Sequence, residues 1–430
     1  MRLLAIVFVT TMLLSSCSTA TISEEPPEEQ TPVLEISTPV LEISAKEVEA
    51  AWIQFAFEKR DFWTQGADFS LRFFKQASIS FPDNNLFLSP YSLACALGML
   101  YNGAEGETKE EIATLLGMSN YNSDQINEYF QTLTKGLLAV DPQVDFGVAN
   151  AFWSHSPYPA KKNFADLIKT YYDAEVSTID FSLPSSLDAI NDWCNEKTKG
   201  TIPRILGELN PPMVLANAVY FKSPWTVPFE KSETVVKSFY NQNGTTSSVP
   251  MMHQKELLLR YSHTTDVEFL RLPYANEAFA MNILLPKEGV DIDEVIASID
   301  GATWRTLTRS MQNVYVTLSM PRFTLADNTY FLSNVLKDMG MTHAFSKDAS
   351  FLAMLDVNSP IGEVIHKSYI EVNEEGTEAS AVTVIVPVGS IGYPLPPPPH
   401  VIMEVNRPFI FAISEQYTEA IIFMGKISNL

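Results

Sequence analysis

Residues able to do chemistry are sparse in this chain of 430 residues. Six histidines stand apart at positions 155, 253, 263, 343, 366 and 400, and no HExxH or CxxC motif supplies clustered metal ligands. No two glycines are spaced as GxG, so a dinucleotide-binding turn is absent. Gly98 and Gly103 have the spacing of a phosphate-binding loop, but Ala104 stands where its lysine belongs. The nearest approach to a nucleophile elbow is Gly389-Ser390-Ile391-Gly392. Its first glycine adjoins the serine and a proline-rich stretch follows, so the strand-turn-helix context fails. Three cysteines exclude a disulfide scaffold. The chain reads as a protein that is not an enzyme and that carries no metal or cofactor.

The most unusual segment runs from Glu374 to His400. Thr377, Ala379, Ala381 and Thr383 are small and recur with period two, so in an extended strand they share one face. Glu378, Ser380, Val382 and Val384 fall on the other face. Pro394 and Pro396 to Pro399 then forbid helix or sheet and favour polyproline II. So long a connection inside a compact domain is normally functional.

Stepping outward, Val364 to Val372 reads as a strand with His366, Ser368 and Ile370 on one face, and an inward lone histidine is a core residue rather than a catalyst or ligand. Met213 to Phe221 is an almost continuous apolar run, predicted to be a strand buried on both faces, with Asn217 needing partners. Ser89-Pro90 starts a helix: serine caps it, and proline at the first position lacks only an orphan N–H. Leu93, Leu97 and Leu100 form its stripe. Thr108 with Glu111 predicts a capping box, and Gly117 a helix end. Leu187, Ile190, Cys194 and Thr198 share a stripe that Gly200 ends, which makes Cys194, like Cys95, a small core residue. Helices and long strands without strict alternation indicate an α+β fold.

Apolar residues make up 46% of the chain, ample for a core, and charged residues 19%, below the roughly 25% of average soluble domains. A net charge of −22 repels phosphate backbones and argues against nucleic-acid partners. Met1-Arg2 and the short apolar run Leu3 to Leu14 read as a signal peptide over residues 1–16. Leu14-Ser15-Ser16-Cys17 resembles the lipobox of bacterial lipoproteins, which implies acylation of Cys17 and an exported protein anchored to a membrane. The alternative is an ordinary secretory signal with an incidental cysteine. Residues 17–46 form an acidic, proline-rich tether in which TPVLEIS occurs twice, at Thr31 to Ser37 and Thr38 to Ser44. The repeat reads as a duplicated spacer, or else as two short docking strands. A folded domain over residues 47–430 follows.

Glu374-Glu375-Gly376-Thr377-Glu378-Ala379-Ser380-Ala381 resembles the hinge of an inhibitory serpin reactive loop, nearly residue for residue. Further segments match that family in order: Asn85 to Ser92 (NLFLSPYS), Asn217 to Lys222 (NAVYFK) with Trp225, Val249-Pro250-Met251-Met252, Leu318 to Phe323, and Asn406-Arg407-Pro408-Phe409. The resemblance implies a fold of three β-sheets and about nine helices with an exposed reactive loop. It implies a shutter at the centre of the main sheet, made by Ser89, Ser92, Asn217 and His366, with Trp225 at the breach above it. It also implies a monomeric inhibitor of a serine or cysteine protease. The protease cuts the loop and is held covalently while the hinge Glu374, Glu375, Gly376, Thr377, Ala379 and Ala381 enters the sheet. Counting seventeen residues with Glu374 as the first puts the reactive bond at Ser390–Ile391, suited to a shallow elastase-type pocket. Gly389–Ser390 and a bond after Tyr393 are rivals, and a non-inhibitory member of the family is the alternative function. Pro387 departs from the pattern, because it falls near the far end of the inserting strand.

Overall fold

The computed structural model describes residues 45–83, 85–209, 212–377 and 398–430. Ten α-helices occur among them. They are α1 (Ala45–Glu58), α2 (Arg60–Ser80), α3 (Pro90–Gly103), α4 (Gly106–Leu115), α5 (Ser123–Ala139), α6 (Lys162–Tyr172), α7 (Pro184–Lys197), α8 (Ile292–Ser298), α9 (Gly301–Arg309) and α10 (Ser333–Asp338). The strands are β1 (Leu86–Leu88), β2 (Asp145–His155), β3 (Ala174–Ile179), β4 (Met213–Pro224), β5 (Val235–Tyr240), β6 (Thr246–His263), β7 (Val267–Tyr274) and β8 (Phe279–Pro286). They continue with β9 (Gln312–Pro321), β10 (Phe323–Phe331), β11 (Ile365–Val372), β12 (Gly376–Thr377), β13 (His400–Glu404), β14 (Phe409–Glu415) and β15 (Ile421–Ile427).

Two hydrogen-bonded ladders result. One runs β10-β11-β12-β4-β2-β3, and the other β1-β15-β14-β8-β7-β6-β9-β13 with β5 also on β6. The long β6 joins two sheets within the second ladder. Its first half carries β5, its last residues carry β7, and its register with β9 shifts between Gln254 and Leu257. Three sheets and α+β architecture are thus present. β8, β14 and β15 are buried at every position and form the floor of the core.

Local signals act where they were legible. Ser89 Oγ accepts the Ser92 N–H at 3.1 Å, and Pro90 opens α3. Gly117, at φ +73, ends the turn after α4, and Gly200, at φ +88, follows α7. The capping box at Thr108 does not form. Helix α4 starts earlier, after Glu105. The Thr108 hydroxyl accepts the Ser350 N–H instead, and Glu111 accepts the His343 N–H and the Thr342 hydroxyl. Tertiary partners outcompeted the local one.

Strand β4 corrects the prediction of burial on both faces. Ala216 and Ala218 are buried with Ile190 and Cys194 of α7, but Met213, Leu215, Asn217 and Val219 are only half-buried. The reason lies in what stands beside them, or does not.

Candidate functional site: an open sheet and its hinge

Beyond Thr377, no strand lies between β4 and β11 among the described residues, and a cavity of about 890 Å³ occupies the space. Its walls include Met213 to Val219 from β4 and Ile365 to Ser368 from β11, with Ser89 and Ser92 from α3 beneath. Among the described residues, the space is filled at one end alone. There β12 pairs antiparallel with both neighbours: Thr377 faces Ser223 of β4 and Val372 of β11, and Gly376 faces Pro224.

The polar residues around this cavity form two separate groups. On the β11 side, His366 Nε2 accepts the backbone N–H of Ser89 at 3.1 Å, and Ser89 Oγ donates to the Ile422 carbonyl at 2.8 Å. The Ser368 hydroxyl donates to the Phe87 carbonyl. Burial lowers the His366 pKa to about 4, so the ring is neutral at pH 7 and can accept. On the β4 side, Asn217 Nδ2 donates to Asn150 Oδ1 at 2.6 Å, and Asn150 Nδ2 donates to the Tyr172 carbonyl at 2.7 Å. Asn217 Oδ1 is buried and has no partner. Ser89, Ser92, Asn217 and His366 therefore line one cavity, but Asn217 bonds away from the other three. Asn150 and Ser368 were not singled out from sequence, although Ser368 lay on the inward stripe of β11.

The hinge is clamped by residues distant in sequence. Trp225 is 1% exposed and stacks on Tyr274 at 4.4 Å between ring centroids. Its Nε1 donates to the Asn373 carbonyl at 2.9 Å and its backbone N–H to the Glu375 carbonyl at 3.0 Å. Asn373 closes the turn, with Oδ1 accepting the Glu375 N–H at 2.9 Å. The Glu374 carboxylate is buried, accepts the Thr234 hydroxyl at 2.8 Å and lies 3.6 Å from Arg322. Glu375 pairs with Lys231 at 2.6 Å. Gly376 sits at φ +154, a conformation that side-chain-bearing residues rarely adopt. Thr377 is 2% exposed, and its hydroxyl shares a 2.6 Å hydrogen bond with the Tyr274 hydroxyl, so this side chain points into the core. No sequence signal marked Tyr274 or Asn373.

Cys95 and Cys194 are free and buried, with thiols pushed up to about 12 and about 11 by desolvation, hence unreactive. No group of three potential metal ligands occurs among the described residues. Cys17, Ala379, Ala381, Ser390 and Ile391 lie outside them.

A family model described as Serpin (serine protease inhibitor) matches residues 64–430. The chain belongs to the serpin family. An uncharacterized serpin-like protein of Thermococcus kodakarensis is 34% identical, over 81% of this chain and 81% of the relative. Thyroxine-binding globulin of Homo sapiens is 33% identical, over 84% of this chain and 88% of its own. Among solved structures, the thermophilic serpin tengpin in its native state superposes with a TM-score of 0.76. The identity is 31%, covering 86% of this chain and 94% of that one. As a serpin, the protein has the architecture of a protease-inhibitor family. Among the described residues, no helix is long and apolar enough to cross a membrane.

Proposed function

We propose that this serpin is a suicide-substrate inhibitor that traps a serine protease as an acyl-enzyme. The protease serine Oγ attacks the Ser390 carbonyl carbon, an ester forms, the Ser390–Ile391 bond breaks, and the Ile391 amine leaves with a proton. The freed arm then enters the cavity as a new strand and carries the ester-linked protease with it, before water can hydrolyse the ester.

One observation carries this reading: Gly376 and Thr377 occupy the first rungs of a strand between β4 and β11, at the mouth of a space that no other strand fills among the described residues. Paired on both sides, that strand would remove two open edges from the sheet, which supplies a driving force. The small residues after Thr377 suit entry between packed walls. Ser390 preceded by Val388 and Gly389 suits a protease with a shallow specificity pocket, of elastase type. Acylation of Cys17 would hold the inhibitor at the cell envelope, with residues 18–46 as a spacer.

The test mixes the protein with pancreatic elastase and separates the products on denaturing gels. The expected results are a complex that survives boiling in detergent and a cleaved form far more heat-stable than the native one. Cleavage without either outcome would establish a non-inhibitory serpin, a carrier of the kind that the name of the thyroxine-binding relative describes for that protein.

A further inference from the structure

Asparagine precedes glycine twice in this chain, at Asn102-Gly103 and at Asn243-Gly244. Such a pair is chemically weak, because glycine has no side chain to hinder the approach of its nitrogen to the asparagine Cγ. The fold treats the two sites oppositely. Asn102 lies in the last turn of α3, where its Nδ2 donates to the Gly98 carbonyl at 2.8 Å and to Asn127 Oδ1 at 2.7 Å. Its Oδ1 accepts from Asn127 Nδ2 at 3.0 Å, and Gly103 beside it is buried against Met354. Asn243 and Gly244 are both exposed, in the turn between β5 and β6, with open space around the Gly244 Cα. Gly244 takes φ +82, as a hairpin loop of this kind requires, and its N–H donates to the Asn241 carbonyl at 3.0 Å.

Two donors converge on the Asn243 side-chain carbonyl. The Thr245 N–H reaches Oδ1 at 2.9 Å and the Thr245 hydroxyl reaches it at 2.6 Å. The hydroxyl hydrogen is committed in that direction, because Asn241 Nδ2 donates to the same hydroxyl oxygen at 2.9 Å. So placed, the two donors polarise the Cγ–Oδ1 bond and stabilise negative charge on Oδ1, as the donors of an oxyanion hole do. We propose that Asn243 is a site of self-modification, where the turn converts the side-chain amide to a carboxylate through a cyclic imide. The Gly244 nitrogen loses its proton to hydroxide and attacks Asn243 Cγ; the Cγ–Nδ2 bond breaks, and ammonia leaves with a proton from water. Water then adds to either imide carbonyl. Breaking the bond from Cγ to the Gly244 nitrogen leaves aspartate. Breaking the bond from the backbone carbonyl carbon leaves isoaspartate, whose main chain runs through the former side chain. Water is consumed and ammonia released, with no other reactant. The same turn holds the chain end: Asn241 Oδ1 accepts the Leu430 N–H at 3.0 Å, and the Gln242 N–H donates to the Ser428 carbonyl at 2.9 Å. Isoaspartate lengthens the main chain by a methylene beside these bonds. It also adds a negative charge close to Asp293, which Gln242 Nε2 holds at 2.8 Å. The modification thus loosens the grip of the turn on residues 428–430.

The test incubates the full-length protein at alkaline pH, beside a sample kept unfolded in guanidinium as a clock for the unprotected chain. Tryptic peptides are sequenced by mass spectrometry, and isoaspartate is labelled with an isoaspartyl methyltransferase. In the native sample Asn243 should give isoaspartate and aspartate while Asn102 keeps its amide; in guanidinium both should react. Thr245→Val keeps the side-chain shape and removes the hydroxyl. It should slow the native reaction roughly 3- to 10-fold, the equivalent of one hydrogen bond, and leave the rate in guanidinium unchanged. Hydrogen exchange at the Leu430 amide should quicken in the aged protein and not in Asn243→Gln treated alike. An Asn243 that keeps its amide in the native sample after the unfolded one has lost it overturns the site, and so does an Asn102 that reacts as fast in the native protein. Aspartate without isoaspartate would show direct hydrolysis and overturns the imide. A Thr245→Val rate at or above wild type overturns the role of the hydroxyl. Unchanged exchange at Leu430 overturns the effect on the chain end.

Discussion

Thr377 and His366 are buried polar side chains at two levels of the strands β12 and β11. Thr377 is small, buried and bonded through its hydroxyl to Tyr274. Thr377→Arg would force a guanidinium into that site, at a desolvation cost that stops insertion at its first step. The expected outcome on denaturing gels is loss of the elastase complex and complete conversion to cleaved protein. Trapping at full stoichiometry by this variant would refute the account of the hinge. His366 gives a pH signature. Its native pKa of about 4 lies below the ordinary 6.5, so between these values the unfolded chain binds a proton that the native one refuses. Its contribution is complete above about pH 6.5 and is lost as pH falls toward 4, up to about 3 kcal/mol. Glu415 and Asp141, whose carboxyls are raised by burial, titrate with the opposite sign at the acid end. The informative quantity is therefore the difference between wild type and His366→Gln in urea midpoint. Wild type should lose more stability than the variant from pH 7 to 5, and parallel curves would remove His366 as the titrating group.

At the scale of elements, α3 and β11 are tied together at a helix start. Ser89 caps α3 with its hydroxyl oxygen while its own N–H holds His366, so one residue fixes the helix end and the wall of the cavity. The walls also decide what Pro387 does. In the inserted strand proposed above, the β12 register would put Pro387 opposite Met213, the first residue of β4, and past Ile365, where β11 begins. Its missing N–H then falls at the strand end rather than inside a two-sided ladder. Ala381 would instead stand opposite Val219 and Ser368 in the inserted strand proposed above, in mid-strand. Pro387→Ala should leave the stoichiometry of elastase inhibition unchanged. Ala381→Pro should yield mostly cleaved, uncomplexed protein. Equal behaviour of the two variants would show that the strand enters in another register. On its outer face, the same strand would lay Val382 and Val384 beside Ala218 and Ala216, which α7 already covers. Small residues there leave room for the incoming valines.

For the whole molecule, the distance from seated hinge to cleavage point would set how far a protease captured as proposed must travel. An arm ending at Ser390 extends thirteen residues beyond Thr377, past the last rung that β4 offers at Met213. Mass spectrometry of the fragment released by elastase should find an N-terminus at Ile391. A start beyond Gly392 would overturn the count and favour cleavage at Tyr393. At the other end of the chain, Cys17→Ala should abolish fatty-acid labelling and free the protein from membranes. Unlabelled wild-type protein found entirely in the medium would leave an ordinary secreted inhibitor.

What the sequence determined by itself were features set by near neighbours along the chain. The cap at Ser89-Pro90 and the alternation of His366, Ser368 and Ile370 follow from local periodicity and backbone sterics. The same local reasoning failed at Thr108 and Glu111, whose hydrogen bonds went to Ser350, His343 and Thr342, more than two hundred residues away. It failed again at β4, because a run of apolar residues records that a strand can be covered on two faces, and not whether its lateral neighbour is present. Only the tertiary structure decided that Gly376 and Thr377 pair between β4 and β11, that Asn217 bonds to Asn150 and away from His366, and that Glu374 and Glu375 meet Arg322 and Lys231. Those outcomes depend on which strands become neighbours. Lateral pairing between distant segments leaves no period in the chain that makes it.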